Sequence, residues 1–121
     1  MASGASELTP ARASSILARV SYRDRLRVGR LRWPSGYLPT PVRSLHEVHI
    51  TLMTDDKSLP AIHFPTLAEW VESVIGDPDF ARTVEACGSS NASYADQCRE
   101  LLALLGERLE HLREVADEPD F

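Results

Sequence analysis

His46–Thr54 reads HEVHITLMT, and the reading of this stretch decides the fold. Val48, Ile50 and Leu52 alternate with Glu47, His49 and Thr51, the period-two pattern of a strand with one buried face. The alternation predicts a strand over residues 46–54. Asp55–Ser58 follows as a loop, and residues 59–64 return as a partner strand. Pro60 near its start and Pro65 just past its end mark an edge position.

Helical spacing takes over beyond this hairpin. Thr66-Leu67-Ala68-Glu69 has the form of a capping box, and Leu67, Trp70, Val71, Val74 and Ile75 predict a helix over 67–75 that Gly76 ends. Asp77-Pro78 restarts a helix over 78–87. Ser93 caps the longest helix, 93–116, on which Cys98, Leu102, Leu105, Leu109, Leu112 and Ala116 run at 4-3-4-3-4 spacing. Strands before helices give an α+β fold, with a small antiparallel hairpin or three-stranded sheet packed against a C-terminal helical hairpin. The apolar stripe of the last helix, at Leu102, Leu105, Leu109 and Leu112, is broad. Such a stripe packs within a domain or, on a helix about 35 Å long, serves self-association as a homodimer.

Upstream, Thr9-Pro10 predicts a short helix running towards Asp24. From Arg25 to Trp33 the pattern alternates, but Leu26 and Val28 lie in one phase and Leu31 and Trp33 in the other. The switch at Gly29 suggests a bulge or bend. Trp33-Pro34-Ser35-Gly36 is a turn, and Pro39 and Pro41 keep the chain extended. The segment 1–43 thus reads as a basic N-terminal helix and arm, and 44–121 as an acidic α+β core.

Charge separates the two parts. Residues 1–43 hold eight arginines against Glu7 and Asp24, a formal +6. Residues 44–121 hold five basic groups against sixteen acids, a formal −11. Six arginines (Arg19, Arg23, Arg25, Arg27, Arg30 and Arg32) fall within fourteen residues, with Arg43 beyond and Tyr22, Trp33 and Tyr37 among them. Arginine, tryptophan and tyrosine dominate protein hot spots, and guanidinium groups interleaved with aromatics also suit single-stranded nucleic acid. Alternatively the basic segment folds back on the acidic one and the charges cancel.

For chemistry the pattern offers little. His46 and His49, three apart on a strand, would point to opposite faces. A site from His49, His63 and Glu47 is outweighed by ordinary solvated histidines, so no metal is expected. His111 flanks the leucine stripe. Cys87 and Cys98, eleven apart, read as buried thiols in a reducing compartment. Asp55-Asp56 and Asp77-x-Asp79 lack the spacing of a calcium loop, and no phosphate loop, nucleophile elbow or H-E-x-x-H occurs. No apolar run approaches 18 residues and no h-region follows Met1, so neither a membrane helix nor a secretion signal is expected, and a cytoplasmic location is.

The expectation is a non-enzymatic module without a cofactor, an accessory subunit, adaptor or inhibitor. It would dock on an acidic protein, alone or in a larger complex, through Arg19, Arg23, Arg25, Arg27, Arg30, Arg32, Trp33, Tyr37 and Arg43. The alternative is nucleic-acid binding by the same arginines with Trp33 and Tyr37 stacking. The overall charge of −5 and pI near 5.3 favour the protein partner.

Overall fold

Ser44 starts a helix where the alternation predicts a strand. Its hydroxyl accepts from the Glu47 amide at 3.2 Å, and the Glu47 carboxylate reaches back to accept from the Arg43 amide at 2.6 Å. These two bonds satisfy free donors at a helix start from both sides, as a capping box does. The resulting helix, Leu45–Leu52, buries Leu45, Val48, Thr51 and Leu52 on one face. Ile50, which the strand reading places inside, is 50% exposed. The apolar residues fit both periods, and the cap and the core choose the helix.

The computed structural model describes residues 8–32, 34, 36–53 and 58–117. In chain order the elements are α1 (Pro10–Leu17), β1 (Gly29–Arg32), β2 (Gly36–Pro39), α2 (Leu45–Leu52), β3 (Ser58–Ala61), α3 (Phe64–Trp70), α4 (Pro78–Gly88) and α5 (Tyr94–Ala116). A 3₁₀ turn covers Tyr22–Asp24, and a π turn, Val71–Ile75, continues α3. The fold is α+β, a three-stranded antiparallel sheet of order β2-β1-β3 with a helical layer that includes the long C-terminal helix. The end of the expected 46–54 strand and the loop at 55–57 lie outside the described residues.

Local caps place most helices. Thr9 accepts from the Arg12 amide and Pro10 opens α1, which stops at Leu17, well short of Asp24. Asp77 and Ser93 cap α4 and α5 as their sequences predict. α3 begins one turn earlier than its expected capping box. His63 stands at its N-cap, and Thr66 lies inside the helix with its hydroxyl 2.7 Å from His63 Nδ1. The partner strand is shorter than expected, 58–61, because α3 takes over at Phe64.

One core runs through the chain. Ala13 and Ile16 of α1 and Leu26 and Val28 ahead of β1 belong to the same buried cluster as Leu67, Val84 and Leu105. Residues 8–43 are therefore built into the body rather than attached to it. α5 is the centre, with α1, α2 and α4 all packed on it. Its buried stripe is Cys98, Leu101, Leu105, Leu109, Leu112 and Val115, while Leu102 and Ala116 are only partly buried at its margin. The stripe expected to serve self-association is thus the domain's own core. Leu105, Leu109 and Leu112 are at most 2% exposed, since three helices cover them and leave no seam for a second copy.

The phase switch at Gly29 has a different cause from a bulge. Leu26 pairs with Val42, the Thr40 amide donates to Val28 O, and Gly29 pairs with Pro39 in one unbroken register down to Arg32 and Gly36. Alternation continues through Gly29, so Leu31 faces outward as an exposed apolar residue. Gly29 is required by a close approach. A Cβ there would stand 2.5 Å from Leu38 O and 2.6 Å from the Tyr37 ring, which lies across it.

Candidate functional site

The two faces of the sheet differ. Arg30, Ser58 and Pro60 share the face turned to α2, and both Ser58 and Pro60 are buried. Leu31, Tyr37 and Leu59 share the other face, where Leu31 and Tyr37 are half exposed. β2 is exposed along its whole length.

Both edges of the sheet are closed to further strands. The residues of the β2 segment that bond to β1 are the even ones, as Val42 and Thr40 show, so positions 39 and 41 turn outward and both are proline. An edge without those amides cannot pair regularly. On the far side Tyr94 takes the place of a strand. Its hydroxyl donates to Pro60 O at 2.5 Å and accepts from the Ile62 amide at 2.9 Å. Burial raises the Tyr94 phenol to about 12, so the hydroxyl keeps its proton.

Beside the open face lies a groove of about 240 Å³ lined by Tyr22, Arg25, Arg27, Tyr37, Pro39 and Pro41. Its wall is the 3₁₀ turn, tied down by the Trp70 indole N–H, which donates to Asp24 O at 2.7 Å. Ser21 Oγ donates to the Asp24 carboxylate within the same turn. The Arg25 guanidinium stacks 3.9 Å over the Tyr22 ring and donates to Tyr22 O at 2.9 Å. Such a cation–π pair holds both side chains in place while leaving Tyr22 62% exposed.

The arginines expected to form one docking surface divide into two sets. Arg30 is structural. It donates to Thr51 O at 2.7 Å, to Met53 O and to Ser58 Oγ, neutralising the open carbonyls at the end of α2. Arg43 donates to Val20 O at 2.8 Å, and Arg19 pairs with Glu47 at 3.2 Å. Within Arg19–Arg43 this is the one ion pair found among the described residues. Arg23, Arg27 and Arg32 are exposed and have no partner among the described residues. Trp33 lies outside the described residues. Tyr37 lines the groove.

The histidines are not brought together as ligands. Because α2 is a helix, His46 and His49 sit one turn apart instead of on opposite faces. His49 packs at Gly106 of α5, where an added Cβ would be 3.3 Å from Nε2, and this contact accounts for a glycine inside a long helix. Burial, and then the nearby His46 and Arg113, hold the His49 imidazole below its ordinary pKa. Among the described residues no group of three or more histidines, cysteines or carboxylates could hold a metal ion. Cys87 and Cys98 are buried free thiols, and burial pushes Cys87 up to about 11 and Cys98 upward, which leaves them protonated and poorly nucleophilic.

Two features had no signal in the sequence. Asp77, besides capping α4, is 1% exposed and receives a two-pronged bond from Arg108, at 2.9 and 2.8 Å. A second groove, about 280 Å³, opens between α3 and α4, lined by the buried Phe64 and Ala68 and by the exposed Pro65, Glu69, Glu72 and Glu85. Among the described residues, no helix is long and apolar enough to cross a membrane. Comparison of the chain with family models, curated proteins and solved structures finds no match in any of the three.

Proposed function

We propose that this chain is a small interaction module, without catalytic activity of its own, that docks on an acidic protein surface through the Tyr22–Tyr37 groove and the guanidinium groups of Arg23 and Arg27. The observation that carries the reading is that Arg27 lines a groove with the exposed rings of Tyr22 and Tyr37, and that Arg27 and the neighbouring Arg23 meet no carboxylate of their own chain among the described residues. Tyrosine rings supply contact area with little rotamer entropy to lose, and arginine supplies planar pairing to carboxylates. With both sheet edges closed, a partner lies across the groove and the open face and does not add as a strand.

Replacing Arg23 and Arg27 together by Ser is expected to abolish binding of a glutamate-rich peptide carrying an aromatic residue. The melting midpoint should stay within about 4 °C, because surface changes of this kind cost at most about 0.5 kcal/mol each. Binding unaffected by the double change would sink the reading. The stacked Arg25–Tyr22 pair beside exposed Tyr37 also favours a second reading, a platform for single-stranded nucleic acid. Titration with a single-stranded oligonucleotide distinguishes the two. Three phosphate contacts would give log affinity a slope near −2 against log salt, and no binding at low salt removes this reading.

A further inference from the structure

We propose that copies of this chain associate head to tail, the arginine–tyrosine groove of one seating against the glutamate-rimmed groove between α3 and α4 of the next. This rests on the docking role of the tyrosine groove and names its acidic partner as a surface that the chain itself carries.

Two surfaces of opposite charge are left open on one body. Glu69, Glu72 and Glu85 are exposed around an apolar floor and have no ion-pair partner among the described residues. Arg23 and Arg27, beside and within the tyrosine groove, are likewise exposed and without an ion-pair partner among the described residues. The floor is close to the surface because Gly88 lets α4 approach Phe64, where a Cβ would stand 2.5 Å from that residue's own Cβ. Tyr22, the most exposed large side chain of the arginine face, offers such a floor an apolar ring.

The two surfaces cannot meet within one chain. Trp70 fixes the Tyr22–Arg25 turn to one side of α3. By the 3.6-residue repeat Pro65 and Ala68 lie on the far side of the same helical axis, and Glu69 about a quarter-turn from Trp70. A symmetric pairing of two arginine faces is also opposed, since guanidinium would face guanidinium with no carboxylate between. The remaining arrangement is heterologous, with one kind of surface on the other, and it propagates into chains or closes into rings. Its ion pairs are exposed, so it is weak and strongly dependent on salt.

Sedimentation of the full chain over a concentration series tests this, with two charge-reversed variants, Arg23→Glu/Arg27→Glu and Glu69→Lys/Glu85→Lys. Each should melt like the parent, because all four positions are exposed. The parent should show an average mass that rises with concentration at low salt and returns to the monomer at high salt. Each variant alone should remain monomeric, and an equal mixture of the two should regain association. A parent that is monomeric throughout at low salt, or variants that do not recover on mixing, would overturn the proposal. The glutamate-reversed variant keeps its arginine face. If it binds the glutamate-rich peptide while the parent does not self-associate, the head-to-tail assembly fails and the docking role survives. If it binds no peptide either, both fail.

Discussion

The helical layer and the sheet treat their apolar residues in opposite ways. Around α5 every large side chain of the stripe is covered by α1, α2 or α4, and Leu101, Leu105 and Leu112 have no exposed surface at all. On the sheet, Leu31, Tyr37 and Leu38 are each more than a third exposed, although β1 and β3 are anchored firmly. Regular hydrogen bonding holds the strands without needing a second apolar layer, whereas a helix of this kind gains its stability from the face it buries. The same chain therefore stores its stability on one side and presents a surface on the other.

The sharpest way to break this contrast is to truncate one residue from each side. Leu105→Ala is expected to cost about 4 kcal/mol by urea denaturation, the transfer loss plus a cavity. Tyr37→Ala should cost well under 1 kcal/mol while weakening peptide binding several-fold. Comparable losses would show that the sheet surface belongs to the core.

Arg108→Ala comes next. It leaves the Asp77 carboxylate buried without its partner, and removing one member of a buried pair costs about 3 kcal/mol. Arg32→Ala, with the same charge change at an exposed arginine that has no partner among the described residues, should be nearly silent in the same measurement.

Smaller still, Tyr94→Phe removes the hydroxyl from Pro60 O and the Ile62 amide. A cost of about 1–2 kcal/mol is expected, most of it from leaving those backbone groups unsatisfied. Hydrogen exchange should show the loss concentrated at β3.

The least effect is expected from pH. The folded chain holds His49 below its ordinary value, so the unfolded chain takes up that proton at a higher pH than the folded one. The contribution is complete above about pH 6.5 and is lost as pH falls from there towards the folded value. Denaturation midpoints should decline between about pH 7 and pH 5, and His49→Gln should flatten that decline.

What could be read in the sequence were features carried by neighbours along the chain. Thr9, Asp77 and Ser93 cap within three residues of themselves, and their helices lie where those residues put them. The strand read at 46–54 failed because Val48, Ile50 and Leu52 satisfy one period while Leu45, Val48 and Leu52 satisfy the other. The deciding pair, Ser44 and Glu47, has the spacing of a capping box and spans the start of that stretch. The arginines were beyond local reading. Arg30 and Arg32 occupy equivalent places in the pattern, and only the arrival of Thr51 O and Met53 O beside one of them makes it a fastener. The glutamate groove joins residues some twenty positions apart and could not be seen before α3 met α4.

The closed edges carry a consequence for handling and for cellular life. A sheet with one greasy face and a free backbone rim is a template for fibrils, since an unpaired row of amides recruits further chains. Here the prolines at 39 and 41 deny one rim and the Tyr94 hydroxyl occupies the other, so the sticky side can remain uncovered without seeding amyloid growth.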